Sequence, residues 1–463
     1  MVGKMSDYLI IGNGVAGKKA VETIRGLDKS GSITVVSNEN HDFYYRPQLP
    51  GFVAGKVEKE RLFDNQGRFY EENNIELLLG TKAVNVLPFK NRVLFDNGNS
   101  LEYGKLLLAP GGRLKQRVYP GAEGSSGVVG MKTLDDAAFI KGKIDRLKHA
   151  VVIGESFLAT YLVEALNEGG VSVTYILRNE NLFPNLLDKD ASVILERRLQ
   201  LKGVNVLKDE DIREICVSDG SINGVKTISD NFIECQLVGI ADGLKPDIEF
   251  VRNAEIATGE GIFVDKQMRT NVPDIFAAGD AAMRISSGDN EMPQINIRWL
   301  KAWKQGIVAG KNMAGGDSAS YDDLECFAST RIYDVNLVSL GISNPCGGKY
   351  KIMTGKHAEM GRDVYKKIVL DNEKIVGALL VGDVSEASIM MDAIAKEKMI
   401  TDIDEGVVKQ MLGTGSQLKP NSCVVCPVCK LDILSDSLLK EGSLISCPAC
   451  GIDINLKENI AQL

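Results

Sequence analysis

The sequence predicts an α/β protein with two Rossmann-like, doubly wound nucleotide-binding domains, an α/β C-terminal interface domain and a small metal ribbon. Three observations support this prediction. A glycine-rich turn joins a strand to a helix at residues 8–24, an altered copy of that pattern recurs at 151–166, and five cysteines lie between 423 and 450. The apolar runs of the predicted strands are continuous rather than alternating, which is typical of parallel sheets covered by helices on both faces.

Length and composition exclude several classes of protein. A chain of 463 residues is too long for one hydrophobic core. The net charge is −8 and no run of Lys or Arg is present, so we expect neither a nucleic-acid partner nor an anionic membrane surface. No apolar run is long enough to span a membrane, and no export signal precedes the first strand at 7–11. The nine cysteines, all at or after Cys216, indicate a reduced, cytoplasmic protein without a dispersed disulfide framework.

The first turn has the spacing of a dinucleotide-binding fingerprint between a strand and a helix. Its first glycine permits a tight turn, its second lets a pyrophosphate approach the backbone, and its third allows close packing of helix on strand. Backbone N–H groups and the helix dipole then face the phosphates. Glu39, 22 residues after the third glycine, is expected to bind a ribose hydroxyl. The fingerprint consists of Gly12, Asn13, Gly14, Val15, Ala16 and Gly17.

Further motifs extend this pattern along the chain. They are "YYRPQLPGFVAGK" (44–56), "LLLAPGG" (106–112), "TNVPDIFAAGDAA" (270–282) and "QGIVAGKNMAGG" (305–316). Together with the fingerprint, they make residues 6–395 resemble the FAD-dependent pyridine nucleotide oxidoreductases of the rubredoxin-reductase, ferredoxin-reductase and nitrite-reductase flavoprotein type. The resemblance implies an FAD cofactor and a homodimer formed through residues 320–410.

The resemblance also implies which residues contact the flavin. In the family, the Gly-Asp pair that is here Gly279 and Asp280 holds the ribityl chain and a phosphate. Arg46 and Pro47 are expected to lie along the flavin, and Val84 near the adenine. A cleft is expected to be lined by Ala109, Pro110 and Gly111, although the family usually has Thr where this chain has Pro110.

The same resemblance implies a domain order in which the second nucleotide-binding domain is inserted into the first. We expect an FAD-binding domain, an NAD(P)-binding-like domain, an α/β interface domain and a four-cysteine metal ribbon. Their expected ranges are 1–113 with 241–318, then 114–240, 319–415 and 420–463.

The second fingerprint departs from the family pattern. It reads Gly154-Glu155-Ser156-Phe157-Leu158-Ala159, so Ser156 places a side chain where a pyrophosphate should touch the backbone. Glu155 adds an anion near the expected phosphates, and a like-charge pair about 4 Å apart costs on the order of 1 to 4 kcal/mol. Arg178, after the next strand, is a candidate partner for a 2′-phosphate and favours NADPH over NADH. Three interpretations stay open: NAD(P)H binding at Gly154, Ser156 and Arg178, binding of another reductant, or a structural remnant.

The chemistry follows from the flavin. Hydride transfer from a nicotinamide requires stacking and exclusion of water but no protein acid or base, so no catalytic residue is assigned. No cysteine lies near the expected flavin, which excludes a thiol relay there. We therefore predict an enzyme, an FAD-dependent oxidoreductase that transfers electrons between NAD(P)H and a small redox protein such as rubredoxin or ferredoxin. The alternative is a flavin-carrying electron-transfer or scaffold subunit of a larger redox complex that no longer uses NAD(P)H directly.

The cysteine cluster at the C-terminus predicts a metal site. Two Cys-x-x-Cys pairs are separated by 17 residues, a spacing typical of four-cysteine ribbons that bind zinc tetrahedrally. Iron is an alternative, but the segment between the pairs lacks the aromatic residues of rubredoxin. Cys423 precedes the first pair and completes an order that is also found around iron–sulfur clusters. The predicted ligands are Cys426, Cys429, Cys447 and Cys450.

Overall fold

The protein is described by a computed structural model in which the chain forms two compact units. The first unit contains Met1–Lys115, Lys132–Ala137 and Leu244–Asp322, and the second contains Gln116–Met131, Ala138–Gly243 and Asp323–Leu463. The second unit therefore includes both the second nucleotide-binding-like region and the C-terminal region, and the finer division into four domains stays a prediction. The described residues are 5–64, 68–115, 117–123, 125–284, 299–315, 319–321, 327–345, 349–359, 362–412, 423–425, 432–434, 444–446 and 453–455.

The first unit is built on a seven-stranded sheet with the strand order β3-β2-β1-β6-β5-β4, in which β18 also pairs with β6. Its central strands are apolar and almost fully buried, as predicted for a sheet covered on both faces. Its elements are β1 (Met5–Ile11), α1 (Val15–Leu27), β2 (Ile33–Val36), α2 (Leu49–Val53), α3 (Phe69–Glu72), β3 (Ile75–Leu78), β4 (Ala83–Leu87), β5 (Arg92–Phe95), β6 (Ser100–Leu108), β7 (Gly112–Leu114), β16 (Leu244–Pro246), β17 (Ile262–Val264), β18 (Ile275–Ala277), β19 (Ala282–Arg284) and α7 (Trp299–Gly315).

Five parallel strands of this sheet, β3, β2, β1, β6 and β18, end at the same edge. Strand β1 pairs in parallel with β2 and β6, and β18 pairs in parallel with β6. In this register Ile11 lies opposite Leu108, and Leu108 lies opposite Ala277. The loops that follow β1, β6 and β18 therefore lie side by side at the carboxyl edge, where ligands bind in open α/β sheets.

Helices α1 and α7 pack closely against each other in the first unit. A Cβ added at Gly306 of α7 would lie 2.3 Å from the carbonyl oxygen of Ala16, and one added at Gly310 would lie 2.7 Å from that of Ala20. Two glycines one turn apart thus allow α7 to contact the backbone of α1. This contact fixes α7 beside the helix that follows the first turn.

The second unit begins with a five-stranded sheet in the order β11-β10-β9-β15-β8. The three strands that fall between β11 and β15 in the sequence form a separate antiparallel sheet. Strands β9, β10, β11, β15 and β8 pair in parallel, as expected for a second doubly wound domain. The elements are β8 (Val128–Val129), α4 (Leu134–Ile144), β9 (His149–Ile153), α5 (Phe157–Glu168), β10 (Ser172–Ile176), α6 (Lys189–Leu201), β11 (Asn205–Leu207), β12 (Ile212–Ser218), β13 (Ser221–Thr227), β14 (Phe232–Glu234) and β15 (Leu237–Ile240). The first four residues of α4 are grouped with the first unit.

The C-terminal part of the second unit is a five-stranded antiparallel sheet in the order β20-β21-β24-β23-β22, followed by two helices and two short hairpins. Each hairpin is a pair of three-residue strands. The elements are β20 (Phe327–Ile332), β21 (Val335–Gly341), β22 (Lys351–Glu359), β23 (Arg362–Asp371), β24 (Lys374–Gly382), α8 (Ala387–Ala395), α9 (Glu405–Met411), β25 (Cys423–Val425), β26 (Asp432–Leu434), β27 (Leu444–Ser446) and β28 (Asp453–Asn455). Within the described residues, no helix is long and apolar enough to cross a membrane.

Candidate functional site

The glycine-rich turn after β1 is shaped by close backbone contacts. Gly12 has φ +110°, and a Cβ at this position would lie 2.0 Å from the carbonyl oxygen of Ala109. A Cβ at Gly17 would lie 2.0 Å from the carbonyl oxygen of Gly12. Both positions therefore exclude any side chain, because the atoms that they would meet belong to the backbone.

Gly14 stands in contrast to these two glycines. It is the N-cap of the 13-residue helix α1, with φ −80° and ψ −176°, and no side chain caps the helix. A Cβ at Gly14 would have no atom of the described residues within 4 Å. The helix N-terminus is therefore open at this point, and its backbone N–H groups and dipole favour an anion. A diphosphate fits this site.

Two buried amide side chains beside this opening have donor nitrogens without partners among the described residues. Gln305 of α7 is fully buried and accepts a 2.9 Å hydrogen bond from the backbone N–H of Gly279, but its Nε2 has no described partner. Asn13 is 8% exposed, its Oδ1 accepts a hydrogen bond from the hydroxyl of Tyr70, and its Nδ2 likewise has none in the described part of the chain. Unpaired buried donors are costly unless a ligand accepts from them. A dinucleotide supplies suitable acceptors, so these residues fit the cofactor that the sequence predicts.

Glu39 and Arg46 form an ion pair beyond the end of β2. The Nη2 of Arg46 lies 2.5 Å from Oε1 of Glu39, and the hydroxyl of Tyr44 donates to Oε2 at 2.6 Å. Burial alone would raise the pKa of Glu39, but the charge and hydrogen bond of Arg46, with the bond from Tyr44, hold that pKa below its ordinary value. The carboxylate is therefore ionised and already oriented. Its predicted contact with a ribose hydroxyl stays a prediction.

Lys132 is a charged residue of this cluster that the sequence reasoning missed. Its carbonyl oxygen accepts a 3.1 Å hydrogen bond from Nη1 of Arg46. Burial lowers the pKa of its side chain, the positive charge of Arg46 lowers it further, and the carboxylates of Glu39 and Asp280 oppose both effects. Two cations and two carboxylates thus act on one another here. The sequence carried no signal for Lys132, because it lies 86 residues from Arg46.

The remaining predicted flavin residues occupy three places in the first unit. Pro47 lies within a short 3-10 helix, Arg46–Gln48. The segment Ala109, Pro110 and Gly111 follows β6, and the N–H of Ala109 donates to the carbonyl of Ile11 at 2.8 Å. Val84 lies on β4 and is 45% exposed. The structure thus brings the segment after β6 to the edge that carries the first turn, and the roles of these residues stay predictions.

The altered turn in the second unit keeps the backbone form of the first. Gly154 has φ +140°, and a Cβ there would lie 2.3 Å from the carbonyl oxygen of Ala241. Ser156 is the N-cap of α5, where its Oγ accepts from the N–H of Ala159 at 3.4 Å and donates to the carbonyl of Ala241 at 2.6 Å. A side chain of the protein therefore already accepts a hydrogen bond from one of the N–H groups that would otherwise face a phosphate.

Arg178 is held by protein carboxylates in the same unit. Its guanidinium contacts Asp242 at 2.6 Å and 3.2 Å and Asp211 at 3.1 Å, and it donates to the hydroxyl of Tyr119 at 2.8 Å. A guanidinium with these partners does not need a phosphate to be neutralised. The pairing of Arg178 with a 2′-phosphate stays a prediction, and the observed geometry argues against it.

The metal and thiol predictions fall mostly on residues that the structure does not describe. Cys426, Cys429, Cys447 and Cys450 lie outside the described residues. Within the described ranges, no group of three or more His, Cys, Asp or Glu side chains is placed to hold a metal ion. Cys235 is fully buried, and burial raises the pKa of its thiol to about 12, so it behaves as a core residue.

Two family profiles match the chain. Residues 6–306 match the pyridine nucleotide-disulphide oxidoreductase profile, and residues 329–398 match the rubredoxin NAD+ reductase C-terminal domain. The first match covers the first unit through the beginning of α7 and the parallel sheet of the second. The second match covers most of the antiparallel C-terminal sheet and α8.

Curated proteins and solved structures resemble the chain over most of its length. NADH-rubredoxin oxidoreductase of Clostridium acetobutylicum is 28% identical over 86% of this chain and 97% of its own. The epsilon subunit of NADH-dependent phenylglyoxylate dehydrogenase of Aromatoleum evansii is 28% identical over 89% of this chain and 97% of its own. The crystal structure of NADH:rubredoxin oxidoreductase from Clostridium acetobutylicum has a TM-score of 0.71 at 26% identity, and the match covers 87% of this chain and 98% of that one.

Proposed function

The chain belongs to the pyridine nucleotide-disulphide oxidoreductase family, and from this premise we propose that it is an FAD-dependent enzyme that transfers electrons from NAD(P)H to a small redox protein of the rubredoxin or ferredoxin type. The relative from Clostridium acetobutylicum, which is matched over nearly its whole length, supports this acceptor class. We place the reaction in the cytoplasm. The epsilon subunit from Aromatoleum evansii supports the same chemistry within a larger assembly.

The observation that carries the proposal is the open N-terminus of α1 at Gly14. The FAD, when bound, supplies a two-electron acceptor that releases its electrons to a partner. The residues expected to hold its diphosphate are Gly14 and the backbone N–H groups after it. Asp280 and Arg46 are expected to hold the more distant parts of the cofactor. None of these residues needs to move a proton, so their task is to bind, orient and exclude water.

The capped N-terminus of α5 supports a second candidate function. Ser156 caps α5 with its side chain, and the corresponding position in the first unit is an uncapped glycine. A dinucleotide diphosphate competes with this cap for the N–H of Ala159. This observation favours a flavin-carrying subunit of a larger redox complex whose electrons come from another protein. The barrier to nucleotide binding is small, because losing the hydrogen bond of an N-cap side chain costs about 1 kcal/mol of helix stability.

Rapid mixing of the anaerobic, FAD-loaded protein with each nucleotide separates the two candidates. We expect NADH or NADPH to bleach the flavin absorbance near 450 nm within seconds, and reduced enzyme to pass electrons to added rubredoxin or ferredoxin. Dithionite serves as the control, because it reduces any accessible flavin without a nucleotide site. A flavin that dithionite bleaches and neither nucleotide affects at millimolar concentration would establish the second candidate instead.

We also propose that the C-terminal cysteines bind one zinc ion. The described strands flank each Cys-x-x-Cys pair in the sequence: β25 and β26 pair on either side of 426–429, and β27 and β28 on either side of 447–450. Two such pairs are the usual source of four thiolates for a structural zinc. Cys423 belongs to strand β25 rather than to the segment between β25 and β26, which supports a ligand set without it. Mononuclear iron or an iron–sulfur cluster is the alternative.

Metal analysis of the purified full-length protein tests this assignment. We expect one zinc per chain, retained through gel filtration, and a colour due to flavin alone. Cys447→Ser should lose most of the zinc because a three-thiolate site binds it far more weakly, and Cys423→Ser should retain it. One iron per chain, or acid-labile sulfide, would contradict the zinc assignment, and zinc loss in Cys423→Ser would change the ligand set.

A further inference from the structure

We infer that Glu155 binds the adenosine ribose of the nicotinamide nucleotide and thereby makes the second nucleotide-binding domain select NADH over NADPH. The inference rests on the proposed function, since it requires that a nicotinamide nucleotide binds this domain. It also replaces the expectation that Arg178 favours NADPH.

The first observation behind this inference is the position of the Glu155 carboxylate. Glu155 follows Gly154 directly after β9, and its Oε1 accepts hydrogen bonds from the backbone N–H of Asn179 at 2.9 Å and from its Nδ2 at 2.6 Å. Asn179 lies just past β10, the parallel neighbour of β9, and Ile153 and Ile176 are opposite each other at the ends of these strands. The carboxylate therefore extends from the turn to the end of the second strand.

The end of the second strand is where dinucleotide-binding domains place an acidic residue on the ribose hydroxyls. In this chain that place is taken by Leu177, which is fully buried, and by Arg178, which is paired with Asp242. Neither side chain can accept a hydrogen bond from a ribose. Glu155 thus supplies from the turn the carboxylate that the strand itself lacks.

The carboxylate also has free acceptor capacity. Both of its hydrogen bonds end on Oε1, and no described residue donates to Oε2. The side chain is half-buried at the surface of the unit. An ionised carboxylate has about four lone-pair sites, so two vicinal ribose hydroxyls have acceptors available to them. The Asn179 contacts fix the orientation in which the carboxylate meets a ribose.

The surrounding charges disfavour a 2′-phosphate. Arg178 is neutralised by Asp211 and Asp242, and Arg117 lies 3.3 Å from the same Asp211 carboxylate. Both arginines are therefore already paired with acids, as is Lys189 with Glu180, and a phosphate at the ribose 2′ position would meet the carboxylate of Glu155. Like charges at contact distance repel.

Binding of two nucleotide fragments to the FAD-loaded full-length protein tests the inference without any electron transfer. ADP-ribose and 2′-phospho-ADP-ribose carry no nicotinamide, so isothermal titration reports on the ribose site alone. We expect wild-type protein to bind ADP-ribose at least about tenfold more tightly than its 2′-phosphorylated form. Glu155→Gln should weaken ADP-ribose binding by about tenfold, the effect of one hydrogen bond to a charged group. It should leave binding of the phosphorylated form unchanged or improve it.

Glu168→Gln is the matched control. Glu168 is an exposed carboxylate at the C-terminal end of α5, the end away from the turn, and its substitution should leave the preference for ADP-ribose intact. Glu155→Lys should reverse the preference, and a thermal melt of each variant reports whether it folds. Equal binding of the two fragments by the wild type, binding of neither, or an unchanged ratio in Glu155→Gln overturns the inference.

The failure of this inference and that of the proposed function give different results. If ADP-ribose is preferred but neither nucleotide reduces the flavin, the ribose site stands and the proposed enzyme activity fails. If NADPH reduces the flavin as well as NADH does and the fragments bind equally, the activity stands and the role of Glu155 fails.

Discussion

Replacing Gly14 with Glu is expected to abolish FAD binding while the chain still folds. The backbone at Gly14 has φ −80°, which any L-residue adopts, and a Cβ there has no described protein atom within 4 Å. The first carbon of the new side chain is therefore accommodated without a clash with the described part of the chain. The side chain fills the space in front of the α1 amides with a negative charge where a diphosphate should bind, and repulsion and steric exclusion together should reduce FAD affinity by about a thousandfold or more.

Two measurements check this expectation: the ratio of 450 nm to 280 nm absorbance after purification, and the melting temperature of flavin-free protein. Gly26→Glu is the matched control, because Gly26 lies in the same helix, also has no protein atom within 4 Å of an added Cβ, and is exposed. That variant should remain yellow. A Gly14→Glu protein with full flavin content would show that the diphosphate does not lie at this helix.

Replacing Gly306 with Val is expected to produce the largest loss of stability. The added Cβ would lie 2.3 Å from the carbonyl oxygen and 2.9 Å from the Cα of Ala16, so α7 has to move away from α1. Backbone atoms cannot rotate aside as a side chain can, and overpacking of this kind costs about 3 kcal/mol or more. Because the neighbouring Gln305 holds the N–H of Gly279, the same movement should also weaken FAD binding.

Urea unfolding of the flavin-free protein measures the loss in the free energy of unfolding. Gly315→Val is the control: it lies at the end of the same helix, where an added Cβ would be 3.8 Å from a Leu27 methyl group, an ordinary contact. Its effect should stay within about 0.5 kcal/mol, the range of surface substitutions. If Gly306→Val unfolded at the wild-type urea concentration, the close packing of α7 on α1 would be refuted.

Much of the fold was predictable because its signals are local. The strand, turn and helix around Gly12 and Gly14 occupy 23 consecutive residues, from Met5 to Leu27. The apolar strand runs predicted a buried parallel sheet, and the α/β class and the family are confirmed.

The site was less predictable because its contacts join distant parts of the chain. Nothing in the sequence near Arg178 indicates that Asp242, 64 residues later, occupies its guanidinium. The turn of Glu155 toward Asn179 likewise depends on the pairing of β9 with β10. Gln305 is the first residue of the motif at 305–316, but its contact with the N–H of Gly279 depends on how α7 packs in the first unit. The metal ligands, which fall outside the described residues, stay predictions.

The two turns share one backbone arrangement: Gly12 approaches Ala109 as Gly154 approaches Ala241. The backbone form of the turn is therefore determined separately from the choice of ligand that binds there. The glycines preserve the loop, while neighbouring positions remain free to diverge without disturbing the sheet beneath. A change of the ligand bound at such a turn therefore requires no change in the strands that support it.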